Sequence, residues 1–327
     1  MRKILFLLSA ILVLNSCNND KKTAQVILPE SSGNINNLSV VIKNELWQGG
    51  VGEAIRDVLA APVDGLPQDE PLFSLSQIPP QVFSGFATKN RTVLKIEKGE
   101  HKSPEVKFAK NVFALPQKVV LITGQTDAEI IAELEANKDK IIDAFKNEEI
   151  KEKQRRINLS PLKIDQLEEA LSLKMKVPSA YRIAKNEGKF FWLRKDITTG
   201  TQNIMIYELP LQALKQDDSL VSQIIKIRDS IGQVHIPGPT EGTYMITEQA
   251  YAPYLFHTTI NDKPTIETKG IWDVKNAFMS GPFLNYIITD KANNRLVVVE
   301  GFTFAPSVEK RDYVFELDAI LKSIKLD

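Results

Sequence analysis

Apolar residues first gather in one run at positions 4–13, interrupted only by Ser9 and set behind Arg2 and Lys3, and then scatter into short periodic sets separated by polar breaks. Leu38-Ser39-Val40-Val41-Ile42 is a β-branched run of strand length. Val51, Ile55, Val58 and Leu59 recur at three- and four-residue spacing behind Gly49-Gly50-Val51-Gly52, which predicts a helix to about Ala60. Residues 91–97 alternate as a strand, and 118–123 supply another. Thr126-Asp127-Ala128-Glu129 has the spacing of a capping box, and Ile130, Ile131, Leu134, Ile141, Ile142 and Phe145 behind it predict one long amphipathic helix reaching Arg156. Its basic end, residues 151–156, suits the helix dipole; contact with anionic lipid is a second use.

Residues 158–161 break the pattern and mark a boundary between halves. Beyond it, 172–177 alternate as a strand, and 181–184 pair with 190–194 across Lys185-Asn186-Glu187-Gly188. Residues 203–209 continue the sheet, and Leu220, Ile224, Ile227 and Ile231 have helical spacing. Strands are predicted at 243–247, 255–260, 265–272, 285–289 and 296–304, followed by a helix with Tyr313, Leu317, Ile320 and Ile324 on one face. Each half runs strands first and ends strand–turn–helix. The predicted fold is therefore α+β: two similar-sized modules, 38–157 and 162–327, of mixed or antiparallel sheet with amphipathic helices packed on one face.

The first apolar run has the layout of a secretory signal peptide and is too short to span a bilayer, which needs about 20 residues. It meets Leu14-Asn15-Ser16-Cys17, and Cys17 is the only cysteine of the chain. That ending resembles the lipobox of bacterial lipoproteins, which implies a signal peptide over 1–16 and a lipidated Cys17 as the first mature residue. Several acyl chains, at about 0.8 kcal/mol per buried methylene, hold stably where one holds marginally. Residues 17–37, rich in Asn, Ser and Lys, are expected to form a flexible tether.

Taking 16 from 327 leaves 311 residues, enough for two modest domains. With 43% hydrophobic and 25% charged residues the chain has an ordinary globular composition. Its formal charge is zero, and −2 once Arg2 and Lys3 are lost, so no concentrated basic face points to nucleic acid. Past Cys17 there is no thiol for a disulfide or a thiolate metal site. Neither a dinucleotide fingerprint nor a Walker motif occurs, and no cofactor or metal is expected.

Candidate chemistry is sparse. The turn from Trp47 to Gly52 could offer backbone N–H groups to an anion; its plainer use is to let the chain pass close to Trp47. Asp69 and Glu70, bracketed by Pro67 and Pro71, could serve as acid and base or as cation ligands, although neighbours in an extended segment point opposite ways. Tyr251 and Tyr254, with Tyr244 and Phe256 around Pro253, could stack on sugar rings or anchor a partner. His101, His235 and His257 lack metal spacing, and no Gly-x-Ser-x-Gly elbow occurs. Glu300 and Arg311, at one strand–helix corner, are expected to form a fold-specifying buried ion pair.

The lipobox, the Trp47 to Gly52 turn, Leu66-Pro67-Gln68, Glu70-Pro71, and the closing Glu300-Gly301-Phe302, Ala305-Pro306 and Lys310-Arg311-Asp312-Tyr313 together resemble a family of Bacteroidetes lipoproteins, itself a domain of unknown function. The resemblance implies an envelope location, on the outer membrane facing the periplasm or else on the cell surface, and brings no activity or site residues with it. The last strand and helix are also similar to small α/β sandwiches of the photosystem accessory type. The favoured function is a membrane-anchored module that binds an envelope protein or glycan; the alternative is a hydrolase assembled from distant residues such as Asp69, Glu70 and His257.

Overall fold

The computed structural model describes residues 27–326. The signal peptide, Cys17 and the first part of the expected tether lie outside the described residues. The chain opens with β1 (Asn37–Val41), α1 (Asn44–Gln48), α2 (Gly50–Leu59), β2 (Ser74–Ile78), β3 (Thr92–Lys98), β4 (Glu105–Lys110) and β5 (Lys118–Gly124). These strands form one sheet in the order β2-β1-β3-β5-β4, parallel throughout except at β4. Central strands of such a sheet are covered on both faces and read as continuous apolar runs. Leu38, Val40 and Ile42 enter the core under the helices, while Val41 joins Val93 and Val119 on the opposite face.

Helix α2 buries Val51, Ile55, Val58 and Leu59, the stripe read from the sequence. Gly52 lies so close to Trp47 that a Cβ there would stand 1.9 Å from its carbonyl oxygen. The glycine therefore serves the close approach. The capping box forms on α3 (Asp127–Ala136), with the Glu129 N–H donating to Thr126 Oγ1 at 3.2 Å. One long helix does not follow. Asn137 leaves helical geometry (φ −117°, ψ 10°), its side-chain amide donates to the Glu133 carbonyl at 2.9 Å, and a second helix, α4 (Lys138–Ile157), begins there.

The expected tether does not extend to residue 37. Ser31 donates to the Leu115 carbonyl at 3.1 Å and Ser32 to that of Lys89 at 2.9 Å. Arg91, buried, binds Glu149 of α4 through Nε and Nη2 at 2.9 Å each and donates to the Asn34 carbonyl at 3.0 Å, while Asn36 N–H donates to Glu149 at 3.1 Å. Polar composition hid a segment whose backbone is bound to a buried ion pair. The basic end of α4 is also engaged: Glu152 accepts from Arg155 at 2.8 Å and Arg156 at 2.7 Å.

The second half contains α5 (Asp165–Leu171), β6 (Leu173–Lys174), β7 (Arg182–Asn186), β8 (Phe190–Ile197), β9 (Gly200–Pro210), α6 (Leu220–His235), β10 (Met245–Thr247), β11 (Tyr254–Ile260), β12 (Lys263–Val274), β13 (Ala277–Asp290), β14 (Arg295–Phe304), α7 (Arg311–Leu321) and β15 (Lys325–Leu326). An eight-stranded antiparallel sheet runs β10-β12-β13-β14-β9-β8-β7, with β11 added at the edge of β12. The alternation at 172–177 yields only the two-residue β6, which pairs with β15. Asn261 and Asp262, both at positive φ, make the two-residue hairpin between β11 and β12. The parallel-rich first sheet and the antiparallel second one have different topologies.

Unlike the first half, this sheet carries a helix on each face. Leu220 and Ile224 of α6 pack on Met205, Val298 and Phe302, and Leu317 and Ile320 of α7 pack on Ile204, Val297 and Val299. This parity overturns the expected Glu300–Arg311 pair. Glu300 shares the α6 face with Val298 and Phe302, because side chains two apart on a strand point the same way. It binds Arg228 of α6 at 2.8 Å, both side chains fully buried, and Arg228 also donates to Thr247 Oγ1 at 2.9 Å.

Removing one partner of a buried pair strands the other charge, at a cost of about 3–5 kcal/mol. Glu300→Ala is expected to destabilise the fold by that amount in urea unfolding. The double replacement Arg228→Met with Glu300→Leu should recover most of the loss.

Candidate functional site

Residues 60–73, between α2 and β2, form a hairpin-like excursion that crosses to the second half. Its arms are joined by Val63 N–H donating to the Glu70 carbonyl and Leu72 N–H to that of Ala61, both at 2.9 Å. Its tip rests on β12 at Gly65, whose φ of +81° few other residues adopt and where a Cβ would stand 2.8 Å from Lys269 Cβ. Its base is held at Glu70. The Glu70 carboxylate, buried, accepts from the backbone N–H of Lys310 at 2.7 and 2.9 Å and of Arg311 at 2.7 Å. Those are the free amides at the start of α7, so Glu70 caps a helix about 240 residues further on. Arg311 answers by donating to the Pro71 carbonyl at 3.1 Å and Ser74 Oγ at 3.0 Å.

Between this excursion and the edge of the second sheet lies an open cleft of about 650 Å³. Asp64 and Asp69 line it from one side; Glu248, Tyr251 and Tyr254 line it from the other. Tyr251 is 70% exposed and Tyr254 51%. Tyr254 runs parallel to Phe256 two residues along β11, ring centroids 6.5 Å apart and planes within 4°, and Lys269 Nζ sits 4.9 Å over the Phe256 ring. Glu248 accepts from Ala250 N–H at 2.9 Å, which folds the loop that presents Tyr251. The arrangement offers two aromatic faces and three carboxylates, a set suited to stacking and to accepting hydrogen bonds from a polyol.

Val63 and Asp64 also line a small, mostly apolar cavity of about 50 Å³ at the seam of the two halves, which reaches Phe315 and Asp318. Behind it is a buried polar cluster. Tyr286 Oη donates to Asp318 at 2.7 Å, and Lys322 and Lys146 lie 3.1 and 3.5 Å from the same carboxylate. Burial pushes the Asp318 carboxyl up, but Lys322, Lys146 and the Tyr286 hydroxyl outweigh it and hold it far below the usual carboxylate range. Burial also drives the Tyr286 phenol well above its ordinary value, with the Asp318 and Glu267 carboxylates adding to the effect. Burial opposes the charge of Lys146, yet Asp318 and Glu267 keep its pKa raised.

Of the residues singled out in the sequence, Asp69, Tyr251 and Tyr254 come together in the cleft. Glu70 does not; it points the opposite way from Asp69 and is consumed as a helix cap. Trp47 lies outside the cleft, with Arg56 4.9 Å over its ring. His257 lines a separate cavity with Leu211 and Lys291. A hydrolytic site built from Asp69, Glu70 and His257 therefore has no common cleft. Asp64 and Glu248 had no sequence signal beyond their charge, since only the fold sets them opposite one another.

Two family profiles match the chain: one described as a domain of unknown function (DUF4837) over residues 160–323, and one described as a domain of unknown function (DUF8532) over residues 31–158. No curated protein matches it. Among solved structures, it is similar to cyanobacterial PsbP (CyanoP) from Synechocystis sp. PCC 6803, at 11% identity and a TM-score of 0.31, covering 47% of this chain and 86% of that one. LpqN, involved in cell envelope biogenesis of Mycobacterium tuberculosis, aligns at 10% identity and a TM-score of 0.27, over 47% and 82%. Human StAR-related lipid transfer protein 5 aligns at 8% identity and a TM-score of 0.25, over 53% and 97%. Overlaps this loose carry no argument about function.

Two outcomes are expected from this geometry. Glu70→Ala removes the cap of α7, at about 1–2 kcal/mol, and should speed amide exchange across 62–70, while Asp69→Ala should stay within about 0.5 kcal/mol of the parent. Asp318, lowered in the folded state from its ordinary value of 3.8, contributes stability that is fully present above that value and is lost progressively as pH falls from there towards the lower folded value. Urea midpoints measured from about pH 5 down to pH 2 should therefore fall less steeply for Asp318→Asn than for the parent; equal slopes would remove this role.

Proposed function

The chain belongs to the family described as a domain of unknown function (DUF4837), and from that footing we propose a lipid-anchored bacterial envelope protein that binds a glycan in the cleft between residues 62–70 and β11–β12. Cys17, acylated, holds it to the outer membrane, and the described body stands on the periplasmic side. Among the described residues no helix is long and apolar enough to cross a membrane.

The observation that carries the reading is the convergence of Asp64 and Asp69 from the first half with Glu248, Tyr251 and Tyr254 from the second on one cleft of about 650 Å³. That volume is within the range of about 300–1,000 Å³ typical of ligand sites. Exposed tyrosine rings give flat apolar faces for sugar C–H groups, and carboxylates accept hydrogen bonds from sugar hydroxyls. The rigid seat of the 60–73 excursion favours binding by presenting these groups with little ordering cost.

Two measurements test this. The mass of the protein extracted from native membranes should show an acylated Cys17 at its N-terminus; an unmodified thiol would remove the anchor. Calorimetric titration with solubilised envelope glycan should show saturable binding that Tyr251→Ala with Tyr254→Ala weakens about tenfold, as expected for two aromatic contacts of roughly 0.7 kcal/mol each. An unchanged affinity in the double variant, or binding only to an envelope protein, would sink the glycan reading.

A further inference from the structure

We propose that the surface built from residues 79–90 and 111–117 is the face on which the protein lies against a lipid bilayer. This rests on the reading of Cys17 as acylated, but it is carried by a different part of the molecule. Among the described residues the outer face of the first sheet carries no α-helix, only two short 3-10 turns at Pro80–Val82 and Gly85–Lys89. Its small cluster of Val41, Val93 and Val119 is covered by the 79–89 segment through Phe83, which meets Phe113 edge-on at 5.6 Å. Buried Gln117 locks the two loops together, donating to the carbonyls of Thr88 at 2.7 Å and Asn90 at 2.8 Å.

The locked pair exposes four large apolar side chains. Phe86 is 86% exposed, Val82 60%, Leu115 52% and Val112 42%. Lys89 reaches back over the Phe86 ring at 5.1 Å. Aromatic and aliphatic tips with a lysine folded over one of them match the boundary between acyl chains and headgroups. The nearby Glu30 carboxylate is paired with Arg155 at 3.2 Å.

The course of the chain selects a bilayer as the occupant. Its N-terminal segment enters the body inside this patch: Leu115 N–H donates to the Pro29 carbonyl at 2.9 Å, Ser31 N–H to that of Leu115, and Ser32 N–H to that of Lys89. Ile27, where the described chain begins, is 93% exposed. Ten residue steps separate it from Cys17, at most about 36 Å of extended chain. A lipid at Cys17 therefore keeps this face within about 36 Å of the membrane, nearer along the chain than the second half.

The test uses the acylated full-length chain in protein-free vesicles of phosphatidylethanolamine and phosphatidylglycerol, spin-labelled at Phe86→Cys, Val112→Cys or, as a control on a fully exposed side chain of the second half, Phe278→Cys. Labels at 86 and 112 should lose collisions with a water-soluble nickel chelate and gain collisions with oxygen, and the label at 278 should do neither. In the chain without label, amides of 82–88 and 112–116 should exchange more slowly on these vesicles than in Cys17→Ser free in buffer. Acylated Cys17 with water-accessible labels at 86 and 112 and unslowed exchange would overturn this face alone. An unmodified Cys17 would overturn the anchor and this proposal with it. Shielding seen only in native membranes, and absent in protein-free vesicles, would assign the patch to a protein and overturn the lipid assignment.

Discussion

A single carboxylate, that of Glu70, joins the two halves at the point where the cleft is made. Burying it costs several kcal/mol unless its oxygens are satisfied. They accept the backbone N–H groups of Lys310 and Arg311 at the positive end of α7, at 2.7–2.9 Å. Charge-assisted hydrogen bonds contribute about 1.5–3 kcal/mol each and the helix dipole up to about 2 kcal/mol, so the contact offsets the burial. Its larger consequence is geometric. With Glu70 fixed and Gly65 seated on β12, the chain between them has little room to move, and Asp64 and Asp69 are held facing Glu248 and Tyr251.

The other buried charges do similar work. Arg91–Glu149 fastens residues 33–36 to α4, Arg228–Glu300 fixes α6 on the second sheet, and the Asp318 cluster sits where α4 meets α7. Along that last seam Lys153 reaches Glu316 at 2.6 Å and Gln154 donates to the Ala319 carbonyl at 2.9 Å, beside the apolar contact of Ile150 with Phe315 and Ala319. A buried pair is weak as a source of net stability, because desolvation offsets most of its attraction. It is strict about partners, since any packing that separates the two leaves a charge unpaired. Each of the three sits where apolar contacts alone would tolerate a sliding of helix on sheet or helix on helix.

Local patterns were legible in the sequence because their cause is local. The stripe of α2, the capping box at Thr126 and the runs of β1, β3, β5 and β14 all appear where residue spacing placed them, and β7 pairs with β8 as expected although Lys185 and Asn186, read as part of the connection, belong to the strand. Even the divergence of Asp69 from Glu70 followed from adjacent residues in extended chain. What was illegible depends on distant partners. Nothing near Asn34 or Asn36 announces Arg91 and Glu149, so a docked segment resembled a tether. Glu300 was assigned to Arg311 by proximity in sequence, whereas strand parity gives it to Arg228 on the other face. Asn137, one polar residue in a helical pattern, splits a helix through a bond from its own side chain.

The same topology orders the two surfaces. In the first sheet α2, α3 and α4 occupy one face and the 79–89 segment the other, and it is α4 that meets α7 of the second half. The 60–73 excursion leaves from α2 and ends at Phe73, in the helix-side core. The cleft therefore belongs to the helix-covered side, and the patch of Phe86, Val112 and Leu115 to the opposite one. A bilayer against the patch leaves the second half, with Tyr251 and Tyr254, on the far side of the first sheet and turned to the aqueous compartment. In that proposed orientation a ligand in the cleft would be met away from the bilayer, with the first half as the spacer between the two.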